Sequence, residues 1–337
     1  MSGILLRTLR GENLQARPTW LMRQAGRYLP EYRVLREQKG GFLALVYDTD
    51  AAAEITLQPI RRFGFDGAIL FSDILIVPHA MGQDLQFLAG EGPHLSPALI
   101  DARLDALHVV PERLTPIYET VAKVRASLGS ERTLLGFAGS PWTVATYMVA
   151  GEGSRDQHHT RAMAYRDPAG FHAITQTTIG YLAGQIAAGA EAVQLFYSWA
   201  GSLAPAQFER WVIAPNAAIV SALKARFPEV PVIGFPKGAG EKLPAYARET
   251  GVDVVGLDET IDPAWAAKAL PAGMPVQGNL DPLALLAGGE ELEVRARTIL
   301  DAFADRPHVF NLGHGIDKET PIAHVERLIT LARGWRG

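Results

Sequence analysis

Along the chain, short apolar runs rich in β-branched or aromatic residues end in a polar residue or a glycine, and a segment of helical period follows. Eight such runs recur: Thr19–Met22, Gly67–Phe71, Leu134–Ala138, Ala192–Phe196, Val230–Phe235, Val252–Leu257, Pro275–Gly278 and His308–Leu312. Several are apolar throughout instead of alternating, the pattern of parallel strands buried on both faces. The intervening segments read as helices; Leu114, Ile117, Tyr118, Val121, Val124 and Leu128 fall on one 3.6-residue face. Asp167-Pro168, Asp262-Pro263, Asp281-Pro282 and Thr320-Pro321 mark helix starts, a capping side chain followed by proline at the first helical position. Eight strands alternating with helices predict an α/β fold, a single-domain (β/α)8 TIM-type barrel over residues 1–337; an open sheet of seven or eight strands is the alternative. Gly26–Tyr47 and Gly82–Arg113 are long excursions of the kind that carry substrate loops.

Composition narrows the chemistry. The 337 residues carry 32 Lys and Arg against 36 Asp and Glu, a net charge of −4, so neither nucleic acid nor an anionic membrane is expected as a partner. An anionic substrate would have to be drawn by a local cationic cluster. The absence of cysteine removes disulfides, cysteine nucleophiles, Fe–S clusters and Cys-ligated zinc, and fits a reducing compartment. No apolar run is long enough to span a bilayer, and the start of the chain has no signal-peptide pattern. A soluble, cytoplasmic protein is expected. His158 and His159 are adjacent and cannot share a helix face, and no metalloprotease-type His pair occurs, so no metal site is expected.

In a barrel, the polar residues that end the runs gather at the C-terminal face, where catalytic groups come from several strands. Here they are Arg23-Gln24, Ser72-Asp73, Gly139-Ser140, Ser198-Trp199, Pro236-Lys237, Asp258-Glu259, Asn279-Leu280-Asp281 and Gly313-His314. Ser140 and Asp281, each before a proline, read first as turn or cap residues. Arg23, Arg27, Arg33 and Arg36 lie within 14 residues, opposed only by Glu31 and Glu37. The guanidinium fork suits carboxylates and stays charged when desolvated; a solvated basic turn is the competing reading. Asp73 sits among apolar neighbours, an expensive place for a carboxylate unless it serves a site or caps the next helix. Tyr147, two turns into the helix after Gly139, could lean over the mouth or pack in the core. Ser198 stands at a strand end, and His314 stands between two glycines, which packing alone explains poorly.

Five stretches together resemble the uroporphyrinogen decarboxylase family. Arg23-Gln-Ala-Gly-Arg-Tyr-Leu-Pro-Glu-Tyr-Arg33 and Gly136-Phe-Ala-Gly-Ser-Pro-Trp-Thr143 resemble its two signatures. Thr56-Leu-Gln-Pro-Ile-Arg-Arg-Phe63, Phe71-Ser-Asp-Ile-Leu75 and Asn311-Leu-Gly-His-Gly315 follow its pattern in the same order, and the likeness spans roughly residues 5–335. The resemblance implies a cytosolic (β/α)8 barrel, a homodimer, that decarboxylates the four acetate arms of uroporphyrinogen without metal or organic cofactor. It implies that Arg23 and Arg27 bind substrate carboxylates beside the backbone of Gln24, Ala25 and Gly26. It further implies that Asp73 accepts hydrogen bonds from the pyrrole N–H groups of the tetrapyrrole, that Tyr147, Ser198 and His314 touch substrate, and that Arg36 is a basic residue over the cleft. Two departures bear on pocket shape: Tyr197 replaces a commonly acidic residue, and Ile316-Asp-Lys-Glu-Thr320 is unusually polar. Of the corrinoid- and zinc-dependent methyltransferases of the same superfamily, those resembling His-x-Cys…Cys zinc sites are disfavoured by the lack of cysteine, and a non-catalytic tetrapyrrole carrier would not need a buried carboxylate under the ring.

Overall fold

A computed structural model describes residues 2–88, 92–99, 109–154, 156–166 and 171–337. The helix start at Asp167-Pro168 and part of the Gly82–Arg113 excursion lie outside the described residues. Seven of the eight apolar runs form one parallel sheet: β1 (Gly67–Ile69), β4 (Thr133–Gly139), β5 (Ala192–Tyr197), β6 (Val232–Pro236), β7 (Val254–Gly256), β8 (Val276–Leu280) and β9 (His308–Leu312). Each pairs in parallel with the next in that order. Strands β4, β6, β8 and β9 are buried along their whole length, as continuous apolar runs flanked by helices require.

The eighth run is an irregular stave between the sheet's two edges. On one side Thr19 bridges Phe310 of β9, whose N–H donates to the Pro18 carbonyl at 2.9 Å. On the other side the Asp66 N–H donates to the Thr19 carbonyl at 3.0 Å, and Thr19 N–H donates to the Asp66 carboxylate at 2.8 Å. A side chain thus takes the place of a ladder carbonyl, and regular strand geometry is lost while the sheet still curls round to meet its other edge. The barrel prediction holds, with seven regular strands and this stave as the eighth.

Polar side chains cross the interior. Trp20 Nε1 donates to Gln277 Oε1 at 3.0 Å, and Gln277 Nε2 donates to Gln194 Oε1, also at 3.0 Å. Strands β5 and β8 are not neighbours in the sheet, so this bond spans the barrel. Buried amides are tolerable because they satisfy one another, and they fix the stave in one register. The described helices pack outside. Thr115–Ser127 buries Ile117, Val121 and Val124, with Leu114 and Leu128 at its ends, on the face the sequence pattern predicts.

Asp262 and Asp281 cap their helices, accepting from Trp265 N at 2.7 Å and Leu283 N at 2.8 Å. Caps of this kind stabilise by about 1 kcal/mol each. Thr320 does not cap: the last helix, Ile322–Gly334, starts from Pro321, and the Thr320 hydroxyl is buried with no partner among the described residues. Ser140 stands at its helix start without a side-chain cap bond. Within the Gly82–Arg113 excursion, β2 (Asp84–Leu88) and β3 (Gly92–Ser96) form an antiparallel hairpin that the strand pattern did not single out.

Candidate active site

The arginine loop begins where the stave ends. Arg23 holds φ at 62°, a left-handed conformation that costs a residue with a Cβ about 1–2 kcal/mol. Its surroundings hold it there: Ile316 N–H donates to the Met22 carbonyl at 2.9 Å, and the Arg23 stem lies against Gly315. A Cβ on Gly315 would stand 2.3 Å from Arg23 Cδ, and one on Gly313 would stand 2.2 Å from the Glu259 nitrogen. Both glycines flanking His314 therefore have a packing reason.

Gln24 is buried and its side-chain amide serves the fold. Oε1 accepts from Leu21 N at 3.1 Å, and Nε2 donates to the Gly67 carbonyl at 2.9 Å. Beyond it, the N–H groups of half-buried Ala25 and Gly26 have no hydrogen-bond partner among the described residues. Arg23, Arg27 and Arg33 are exposed and Arg36 is half-buried. Glu31, one of the two acids that could neutralise the loop, is turned away to Arg62, which grips it through Nε at 2.8 Å and Nη2 at 2.9 Å. Among the described residues no ion pair neutralises Arg23, Arg27 or Arg36. Arg36 and Arg27 both act on the Tyr32 hydroxyl; burial raises its pKa and the two cations oppose that rise.

Asp73 lies just past β1. One carboxylate oxygen accepts from Leu75 N at 2.8 Å; the other has no partner among the described residues. Burial pushes this carboxyl up to about 6, against the Leu75 N–H and the charge of Arg23, both of which favour ionisation. Its neighbour Ser72 is 3.3 Å from the Tyr181 hydroxyl, and Phe71 N–H donates to Thr56 Oγ1 at 3.0 Å, so the chain leading into Asp73 is anchored.

Tyr147 is half-buried on the helix Pro141–Ala150, its ring 5.1 Å from that of Trp199. Burial and the charge of Asp73 raise its pKa while Arg23 opposes, so the phenol is protonated at neutral pH. Ser198 follows β5, and its N–H donates to Thr143 Oγ1 at 3.0 Å. Its own hydroxyl has no partner among the described residues. His314 follows β9, and burial, Lys237 and Arg23 together lower it to about 4, with Asp258 opposing. Its imidazole is neutral near pH 7. The charge of Arg23 thus reaches Asp73, Tyr147 and His314, that of Asp73 reaches Tyr147, Ser198 adjoins Trp199 beside Tyr147, and Arg27 and Arg36 converge on Tyr32 farther along the loop.

The two departures show local roles of their own. Tyr197 is fully buried and its hydroxyl donates to the Trp211 carbonyl in the helical shell. Asp317 closes its own turn, accepting from Glu319 N at 2.8 Å, while Lys318 and Glu319 are exposed. Thr143 and Thr56 are supporting residues whose roles the sequence reading missed, whereas the two glycines flanking His314 stand out in the sequence without their packing reason. Among the described residues no three His, Asp or Glu side chains converge as a metal-binding set, and no helix is long and apolar enough to cross a membrane.

The sequence profile of the family described as Uroporphyrinogen decarboxylase (URO-D) matches residues 3–335. The chain is 75% identical to a uroporphyrinogen decarboxylase of Novosphingobium aromaticivorans, over 99% of each chain. It is 71% identical to one of Erythrobacter litoralis, over 100% of each. Among solved structures, a methyltransferase from Methanosarcina mazei superposes with a TM-score of 0.82 at 18% identity, covering 98% of this chain and 97% of the other, a likeness of fold alone.

Proposed function

Because the chain belongs to the uroporphyrinogen decarboxylase family, and with it to the carboxy-lyases of porphyrin synthesis, we propose that it removes the four acetate carboxylates of uroporphyrinogen III at the Arg23–Asp73 centre, without metal or organic cofactor. The observation that carries this reading is the Asp73 carboxylate, half-buried past β1, with one oxygen tied to Leu75 and the other without a partner among the described residues. Losing CO2 from an acetate arm leaves an electron pair that needs a sink. Protonation of the pyrrole ring at carbon supplies one. The bond to the carboxylate then breaks, its electron pair enters the ring, the resulting methylene takes up a proton to become methyl, and the ring carbon returns its proton. One proton is consumed for each CO2 released.

The protonated ring is a cation with more acidic N–H groups. Ionised Asp73, accepting from them, stabilises that cation more than the neutral substrate, which is the differential interaction catalysis requires. Arg23, held in its unusual backbone conformation, orients the carboxylate that leaves. Arg27 and the backbone of Gln24, Ala25 and Gly26 bind further carboxylates, with Arg36 above them; Tyr147, Ser198 and neutral His314 supply hydrogen bonds. We also read residues 1–337 as a single domain, cytoplasmic and homodimeric; the apolar core that runs unbroken from Leu5 to Trp335 supports the first of these. Anaerobic incubation of the purified protein with uroporphyrinogen should yield coproporphyrinogen and four CO2, and failure to release CO2 would overturn the proposal.

A further inference from the structure

Lys237 ends β6 at the same face of the barrel, and no role in the reaction has yet been given to it. Its backbone is fixed from the neighbouring strand ends. Lys237 N–H donates to the Tyr197 carbonyl at 2.9 Å, and its carbonyl accepts from Gly201 N at 3.2 Å, both beyond or at the end of β5. The next residue, Gly238, donates its N–H to the Asp258 carboxylate at 2.7 Å, past β7. The side chain therefore starts from a rigid point, the condition for a group that binds in one geometry. Its ammonium is 3.2 Å from Glu259 Oε1, and the pair is half-buried, at 28% and 23% exposure. The other Glu259 oxygen is buried with no partner among the described residues, so the pair is incompletely satisfied as it stands.

Glu259 touches the His314 segment directly, since Gly313 packs on its backbone nitrogen, and Gly315 packs on Arg23. A continuous line of contacts therefore runs from Lys237 through Glu259 and the Gly-His-Gly turn to Arg23. We propose that Lys237 is a substrate-binding cation of the decarboxylase site, paired with Glu259 while the site is empty and turning to a substrate carboxylate beside His314 when the tetrapyrrole binds. The field of Lys237 at His314, stronger there than that of Arg23, agrees with this placement. A Lys–Glu pair this open to solvent is weak, so a multiply charged substrate can displace it. The exchange also places a cation beside His314, where a substrate with eight carboxylates needs one.

This inference rests on the proposed function and is tested beside it in the same assay. Steady-state constants for uroporphyrinogen would be measured on the full-length protein and on Lys237→Gln, Lys237→Arg and Glu259→Gln. Lys237→Gln should raise KM about tenfold while kcat falls less than twofold, the loss of one charged contact. Lys237→Arg should restore KM to within about threefold, and Glu259→Gln, which frees the lysine, should lower KM below that of the parent. A KM for Lys237→Gln within twofold of the parent would overturn the proposal. So would a loss that Lys237→Arg does not rescue and that comes with a lowered melting temperature, since the lysine would then only brace its loop. A parent protein that does not turn over uroporphyrinogen at all would instead remove the function on which the inference stands.

Discussion

At Asp73 the requirements of folding and of chemistry pull in opposite directions. Its carboxyl titrates near 6 in the fold against 3.8 in an ordinary setting, so the folded chain holds this proton more tightly, and stability falls as pH rises through that window. Asp73→Asn should therefore melt higher than the parent at ~pH 8, and the difference should vanish at ~pH 4 and below, read by thermal denaturation at both values. The same variant should lose roughly 10²–10³ in kcat, because the size is kept and the charge that stabilises the ring cation is gone. In the parent, kcat/KM should decline as pH falls through about 6, following protonation of this carboxyl. Near-parent turnover by Asp73→Asn would remove it from the mechanism. Asp73 and the arginines were legible in the sequence because a charge amid apolar neighbours, or a cluster of one sign, shows in one dimension. The pairing of Lys237 with Glu259, and the turning of Glu31 to Arg62, were not, since each depends on loops brought together only by the fold.

The arginine loop works as an element only through what it leans on. Gly315→Ala would push a methyl into the Arg23 stem, a flexible neighbour that can move aside without unfolding the barrel. It should lower kcat/KM on the order of 10²-fold, the scale of a misplaced catalytic group, with a melting temperature near the parent's. Full activity would mean that Arg23 does not need its present position. Arg27 is exposed, so its attraction for substrate is screened beyond ~8 Å at physiological ionic strength. Arg27→Ala should raise KM by about threefold and blunt its rise with salt, and Arg27→Lys should recover only part, lacking the fork. Measuring KM for the three proteins at two salt concentrations decides this. Strand runs were legible because parallel strands buried on both faces are apolar throughout. The Asp84–Ser96 hairpin was not, because Asp84, Gln86, His94 and Ser96 interrupt its apolar positions. Proline after a polar residue located helix starts correctly at Asp262 and Asp281 and misassigned the cap at Thr320, where the hydroxyl is buried with no partner among the described residues.

For the molecule as a whole, a net charge of −4 leaves capture of a polyanion to the local cations of the mouth. The homodimer expected from the family should sediment at twice the 36.5 kDa of the chain, and a species at the single mass at micromolar concentration would contradict it. The stave that carries Arg23 has a further consequence. It is laid against β9, and Met22 N–H donates to the side chain of Asn311, 289 residues away, at 2.9 Å. An early segment of the sequence is thus positioned by a late one. Contacts of such sequence separation close late and slow the search for the fold. A nascent chain that stops short of His308 owns every arginine of the loop and has nothing to seat Arg23 against. A fragment ending before His308 should therefore bind uroporphyrinogen poorly and release no CO2, because Asn311, Gly315 and Ile316, which seat Met22 and Arg23, are missing.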